Sequence, residues 1–400
     1  MTQNQKPLVK GFKCRIYPTK EQKDYLQKVF GSARFIYNHL LAELKDEYEN
    51  YKKDQSIQRT PINKISLAYK LPSLKQKEEY QWLNDAPAQV LQHASGQLAE
   101  AFLRFFKSKI GYPRFKSKHG RQSVTFSNQI YSIDGNRLKL LKCKSLFKVK
   151  LHRALPSSGL KSCTVSKTPS GKYYASFLCE YIPEKTSGTG FLGIDAGITD
   201  LATLSNGLIL LNPKHYVKQQ YRLAQLSRRL TRKQKGSKNR NKARLKVARL
   251  HDHIANQRCD YMHKFTTSVI RENQAVAIEN LQIRNMIKNR RLSKHIADAA
   301  WGEMRQQLAY KAIASQNCLL VIADPYYPST QLCHRCNTKP SQKIKLGVTK
   351  WVCEYCGEKH QRDHNASLNL EVLARSYYYQ QKRNGEIASI ILAKPYSPLI

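Results

Sequence analysis

Four cysteines late in the chain, Cys333, Cys336, Cys353 and Cys356, form two pairs, each separated by two residues, with sixteen residues between the pairs. A two-residue gap lets both thiolates of a knuckle face one ion, and two knuckles complete a tetrahedral zinc site with no open position, which makes the zinc structural. Two disulfides are the alternative. The other six cysteines, Cys14, Cys143, Cys163, Cys179, Cys259 and Cys318, are scattered singly, as in a reduced compartment, and this favours the metal.

Acidic side chains are scarce, 28 Asp and Glu against 69 Lys and Arg, so their placement is informative. Asp195 ends the apolar run FLGID and is followed by Ala196 and Gly197, as if a strand delivers a carboxylate to an edge where backbone is closely approached. Glu279 ends AVAIE in the same way. Asp363 opens an expected helix just past the second cysteine pair, where a lone carboxylate also serves as an N-cap or turn residue. Together, three carboxylates from two strand ends and one helix start would hold two Mg²⁺ ions, and a pair of ions ~4 Å apart suits in-line phosphodiester hydrolysis.

The charge balance points to the same class of substrate. The 400 residues carry a net charge of +41, with 41% hydrophobic and 10% aromatic residues. That is enough apolar sequence for two or three cores, which excludes a disordered basic tail. A compact chain so charged repels itself unless a polyanion neutralises it, and nucleic acid is the natural candidate. No uncharged apolar run approaches the ~20 residues of a membrane span, and no signal-peptide stretch opens the chain. A protein working in the cytoplasm of a bacterial or archaeal cell, associated with the nucleoid and not with a membrane, is expected. Lys214 to Arg249 contains 14 Lys or Arg and no acid, more than a solvated helix face requires. Within it Arg228, Arg229, Arg232, Lys233 and Lys235 are expected to meet phosphates. Arg114 and Lys116 beside Phe115 form a smaller basic patch with a ring for stacking. His334, His360 and His364 lie near the cysteines but are not needed by a saturated ion, and are read as facing solvent or nucleic acid.

The elements that must position these groups can be read from period and punctuation. KGFKCRIYPT alternates as a strand, and Thr19, three residues before Gln22, caps a helix with apolar Tyr25, Leu26 and Val29. Helical periodicity resumes in FIYNHLLAEL and in AQVLQHASGQLAEAFLRFF and stops at Gly111. Next comes the turn-rich connector GYPRFKSKHGRQ. From about 121 to 185, SVTFS, RLKLLK, LFKVKL, SCTVSK and YYASFLCEYI read as strands of a small β-barrel. SGTG at 187 to 190 marks a boundary. FLGIDAG, LATLS and LILLN are three strands, and two helical arms around Gly236 carry apolar Leu223, Leu226 and Leu230, then Leu245, Ala248 and Leu250. A second helical stretch from Tyr261 to Arg271, the strand AVAIENL, the helix WGEMRQQLAYKAIA, the strand CLLVIAD, the cysteines and the helix NASLNLEVLARS complete the chain. Three strands, helix, strand, helix, strand, helix is the order of an RNase H-like α/β domain, an order other α/β folds also allow.

The segments GSARFIYNHLL (31–41), GYPRFK (111–116), GIDAGITD (193–200), AIENL (277–281), KNRRLSKHIADAAWGEM (288–304), LAYKA (308–312), PYYPSTQLCHRC (325–336) and WVCEYCGEKHQRDHNASLNL (351–370) resemble, in this order, the TnpB family of insertion-sequence-encoded, RNA-guided nucleases related to type V CRISPR effectors. The resemblance covers nearly the whole chain. It implies an α/β fold with added α and β modules: a first wedge strand in 1–20, a helical recognition region in 21–120 and a β-barrel wedge domain in 121–190. An RNase H-like RuvC nuclease domain would occupy 191–326 and 357–380, with a zinc ribbon inserted at 327–356 and a tail at 381–400. Asp195, Glu279 and Asp363 would be the catalytic acids, and guide RNA and double-stranded target DNA the partners. The resemblance further implies that Gln92, Ser127 and Asn128 contact a short motif flanking the target, and Arg290 and Arg291 are taken as additional nucleic-acid contacts. The expected activity is RNA-guided, Mg²⁺-dependent cleavage of DNA. The alternatives are a guided DNA-binding repressor without cleavage and a transposase or its accessory protein. Gln361 stands where the family often has Asp, and Asn337 where it has Gly; neither is a metal-binding acid or zinc ligand, so activity is expected to survive. Nothing in the sequence specifies an oligomeric state.

Overall fold

Alternation in the opening strand starts the first unit. β1 (Leu8–Tyr17) buries Phe12, Cys14 and Ile16 on one side and pairs antiparallel with β7 (Tyr173–Tyr181), from Leu8 opposite Tyr181 to Ile16 opposite Tyr173. With β2 (Gln122–Ser127), β3 (Tyr131–Asp134), β4 (Arg137–Leu140), β5 (Phe147–Lys150) and β6 (Leu160–Lys167) it forms a seven-stranded, nearly closed barrel in the order β2-β6-β7-β1-β5-β4-β3. The single cysteines Cys14, Cys163 and Cys179 are buried inside it, where a free thiol acts as a small hydrophobe. This computed structural model describes residues 7–56, 58, 60–108, 111–156, 159–183, 185–345, 347–385 and 388–394. Residues 1–6 of the expected first wedge segment and 395–400 of the expected tail lie outside them. The chain divides into two units between Ile182 and Pro183.

The capping box at Thr19 forms as the sequence predicts. Gln22 N donates to Thr19 Oγ1 at 3.3 Å and Thr19 N donates to Gln22 Oε1 at 3.0 Å. The helix beyond the box is longer than the interrupted periodicity predicts: α1 (Lys20–Lys53) is one helix of 34 residues running through Gly31. Buried Leu26, Phe30, Ala33, Tyr37, Leu40 and Leu44 hold one stripe past the glycine, and their burial outweighs the ~1 kcal/mol a helical glycine costs. α2 (Lys64–Gln76), a 3₁₀ segment (Glu78–Asp85) and α3 (Ala88–Ser108) complete the helices. Helices and barrel share one hydrophobic core.

The second unit contains the expected order of elements. Its sheet comprises β8 (Gly190–Asp195), β9 (Asp200–Leu204), β10 (Ile209–Leu211), β11 (Asn273–Ile278), β12 (Leu319–Ile322) and β15 (Ile390–Leu392), arranged β10-β9-β8-β11-β12-β15. The first three are antiparallel, whereas β8, β11, β12 and β15 run parallel. Between β10 and β11 stand α4 (His215–Thr231) and α5 (Lys238–Glu272), the two arms around Gly236, whose φ of +86° suits glycine. The separately expected stretch from Tyr261 is the end of α5, a single helix of 35 residues. α6 (Ile283–Met286), α7 (Ser293–Ala299) and α8 (Trp301–Ser315) lead to β12, and the cysteine segment includes the hairpin β13 (Lys350–Val352) and β14 (Lys359–Gln361) before α9 (Arg362–Arg383). Alternation divides the sheet residues between its faces. Leu192, Ile194, Val276 and Ile278 join α5 and α8 in one core, and Ala275, Ala277, Leu319 and Val321 meet α9 in the other.

Candidate catalytic and metal sites

Strand register brings two of the three acids together. β8 and β11 pair with Gly193 opposite Ala277 and Ile194 opposite Ile278, so the next residues, Asp195 and Glu279, leave the sheet side by side, on strands ~4.8 Å apart. The two-residue period places both on the face that Gly193 and Ala277 share, the face covered by α9. Asp363 is the second residue of α9. Asp195 is only 7% exposed. Burial above all, then the charges of Glu279 and Asp363, push its carboxyl well above the usual carboxylate range, opposed by Arg362. Glu279 is also pushed up, chiefly by burial, while hydrogen bonds from Ser329 Oγ, 3.1 Å from Oε1, and from the Ala196 N–H favour its charged form. Arg362 holds Asp363 through Nε and Nη2, each 2.9 Å from Oδ1. One guanidinium among three carboxylates leaves a surplus of negative charge in a desolvated place. Such an oxygen-only donor set fits a hard divalent cation such as Mg²⁺.

The cysteines are drawn together more tightly. Among the described residues they alone form a group whose ligand atoms all lie within 4.8 Å of one another. Cys333 and Cys356 Sγ are 3.6 Å apart, as are Cys336 and Cys353 Sγ, close to the ~3.8 Å expected for sulfurs on tetrahedral Zn–S bonds of ~2.3 Å. Burial pushes the Cys333 thiol up, opposed by the backbone N–H groups of Cys336 and Arg335, whereas at Cys353 burial is outweighed and the N–H groups of Cys356 and Tyr355 help hold the thiol down. The Thr338 hydroxyl, 2.9 Å from Cys336 Sγ, heads the groups that hold that thiol down to about 6. The set fits Zn²⁺.

One histidine departs from the expected solvent- or nucleic-acid-facing position. His360 is 4% exposed, with Nε2 3.1 Å from Cys333 Sγ, because β13–β14 pairing sets it opposite Trp351, whose ring centroid is 4.4 Å away. It does not face solvent. The backbone N–H of His334 donates to Asn365 Oδ1 at 3.0 Å.

In the first unit Gln92 is exposed on α3, and Gln89, one turn earlier, joins that edge to the end of β2 by accepting from Ser127 Oγ at 3.0 Å. Asn128 is exposed beside it. Arg114 is exposed, but Lys116 is half-buried: its Nζ donates to Gln97 Oε1 at 2.7 Å and lies 3.9 Å from the Tyr37 ring centre. In the second unit Arg228, Arg229, Arg232, Lys233 and Lys235 are all exposed around the bend between α4 and α5, as are Arg290 and Arg291. Arg240 closes that bend by donating to Leu230 O and Lys233 O at 3.0 and 2.8 Å. Sequence reasoning misses three residues. Asp298, 6% exposed, accepts the Tyr216 and Val217 N–H groups that begin α4. Ser329 has no local signal, whereas the charge of Arg362 beside Asp363 is open to view.

The chain is similar to several known proteins. Residues 165–290 match a family model described as a probable transposase, OrfB of IS605, residues 8–53 one described as a helix-turn-helix domain, and residues 301–370 one described as a Cas12f1-like TNB domain. A Streptomyces pristinaespiralis protein is 39% identical over 90% of this chain and 88% of its own length, and Escherichia coli K12 InsQ is 31% identical over 90% and 91%. Both are named "Putative RNA-guided DNA endonuclease". The chain belongs to the TnpB family. The fold is also similar to that of Cas12f1 in a cryo-EM complex with sgRNA and target DNA, at a TM-score of 0.50 and 14% identity, covering 91% of this chain and 99% of that one. The stretch matched as helix-turn-helix is here a strand and one unbroken helix. The two residues read from the sequence as departures from the family pattern, Asn337 and Gln361, each have a defined local role. Asn337 has φ of +57°, a conformation asparagine tolerates best after glycine. Gln361 caps α9, its Oε1 accepting from His364 N at 2.7 Å, as an aspartate there would. No helix among the described residues is long and apolar enough to cross a membrane.

Proposed function

We propose that the protein is an RNA-guided, Mg²⁺-dependent DNA endonuclease of an insertion sequence. In this reading the second unit is a RuvC-type, RNase H-like nuclease domain with an inserted zinc ribbon, and the barrel and helices of the first unit are its wedge and recognition modules. The observation that carries the reading is the convergence of Asp195, Glu279 and Asp363 on one face of the sheet, in a TnpB-family chain whose relatives are named for that activity.

Two Mg²⁺ ions held by these three carboxylates would activate water and stabilise the leaving oxygen in phosphodiester hydrolysis. Asp195 and Glu279 supply desolvated oxygens and lie next to each other in register, and Asp363 is oriented by Arg362. Guide RNA and target duplex would lie against the exposed Arg228, Arg229, Arg232, Lys233 and Lys235 of one unit and against the exposed Arg114 and half-buried Lys116 of the other. Gln92, Ser127 and Asn128 would read the flanking motif, and Arg290 and Arg291 would contact backbone phosphates. Base pairing to the guide selects the target.

The test uses guide-loaded full-length protein on a duplex carrying the matched target and flanking motif, with Mg²⁺ or EDTA, scoring cleavage and retention together. Asp195→Ala, Glu279→Ala and Asp363→Ala should each bind and fail to cut, and a double mutant should be no worse than a single, since the acids act as a unit. Wild-type protein that retains the duplex without cutting it would leave a guided repressor, and joined products would leave a transposase.

A further inference from the structure

We propose that Ser329 is a positioning residue for Glu279 and ties the root of the cysteine cluster to the nuclease centre; the proposal rests on Glu279 being a metal-binding acid. Ser329 is 4% exposed, and its hydroxyl donates to Glu279 Oε1 at 3.1 Å. The serine is itself held from both directions. Its carbonyl accepts from Asn369 Nδ2 at 2.7 Å, and its N–H donates to Tyr327 O at 2.9 Å. Asn369, 4% exposed on α9, also donates to Leu332 O at 2.8 Å, where Asn365 Nδ2 donates as well at 2.6 Å. Leu332 precedes Cys333, so the helix that carries Asp363 clamps the segment from Ser329 to the first knuckle cysteine. A carboxylate at a strand end has two free torsions beyond its Cβ. A donor on a fixed backbone, out of reach of bulk water, acts with the Ala196 N–H to select one orientation of the carboxylate, the arrangement by which outer partners fix metal ligands.

Guide-loaded Ser329→Ala, Ser329→Thr and Glu279→Ala should be compared with wild type for cleavage rate against Mg²⁺ concentration, duplex retention, zinc content and melting temperature. Ser329→Ala should lower the rate at limiting Mg²⁺ by about 10–100-fold and raise the Mg²⁺ concentration for half-maximal rate. Zinc content and duplex retention should not change, and Ser329→Thr, which keeps the donor, should recover most of the loss. An Ala variant with the wild-type Mg²⁺ curve overturns the proposal. A loss of rate that comes with lost zinc, or that Thr does not relieve although it melts normally, also overturns it, because the residue is then structural. If Glu279→Ala itself cuts normally, the assignment of the acid has failed, a result distinct from either of these.

Discussion

Gly193 of β8 lies directly under Ser367 of α9: a Cβ on the glycine would fall on the Ser367 carbonyl oxygen and the Glu371 backbone nitrogen. The same residue donates its N–H to Ser205 Oγ at 3.0 Å. The helix therefore rests on bare backbone two residues before Asp195 and four residues after its own Asp363.

Gly193→Ala should force α9 off the sheet, since a main chain cannot step aside as a side chain can. The expected cost is about 1–3 kcal/mol or more of overpacking, seen as a melting transition lowered by several degrees, with cleavage reduced more than duplex binding. A variant that melts and cuts like wild type would show that the helix seat is not needed.

The cysteine site should hold one zinc per chain. Cys353→Ser should release it, speed amide exchange between residues 333 and 361, and leave Asp195, Glu279 and Asp363 in place, because a closed thiolate site contributes folding free energy to its own segment. Metal analysis that finds no zinc in wild-type protein counts against this.

Lys116 gives a pH dependence with a defined sign. Burial holds it down to about 8 in the free protein. A phosphate brought beside it would raise that value, so binding takes up a proton, and affinity should be greatest below about pH 8 and fall as pH rises above it. Lys116→Arg stays charged throughout and should flatten the curve. Fluorescence anisotropy with guide RNA between pH 7 and 9.5 reads both, and a flat wild-type curve removes Lys116 from the contact set.

The bend between α4 and α5 should account for part of the salt dependence. Replacing Arg228, Arg229 and Arg232 with Gln should weaken binding to every sequence alike and lower the slope of log affinity against log salt by about 0.7–0.9 per lost phosphate contact. An unchanged slope would mean that these arginines point at solvent only.

What the sequence discloses depends on the distance between partners. The cysteine spacing, the Thr19–Gln22 box and the strand ends FLGID and AVAIE are local patterns, and each is readable. The unity of α1 is hidden by Gly31, and that of α5 by the polar run around His251 to Asp260, since what carries each helix through is burial against other elements, such as Leu250 and Ile254 against Leu223. Ser329 and Asp298 act on residues 50 and 82 positions away, and no neighbouring residue announces either. His360 escapes a reading by spacing, because distance in sequence from a metal site says nothing about which way a hairpin turns its ring.

The unbroken α5 has a bearing on how the α4–α5 hairpin can change length. Its 35 residues run without a loop into Asn273 of β11, a rod of roughly 50 Å at 1.5 Å per residue. Leu250 and Ile254 seat its first half on α4, and Met262, Val269 and Ile270 seat its second half in the sheet core. Both ends are thus keyed to one rotational phase, and each residue added between them turns one end by about 100° relative to the other. Removing two residues between Ile254 and Met262 should dislodge one seat and unsettle the strand bearing Glu279. Removing seven, with a matching seven from α4, should shorten the hairpin by two turns and keep both seats in phase. Equal melting temperatures for the two deletions would show that phase does not constrain the rod.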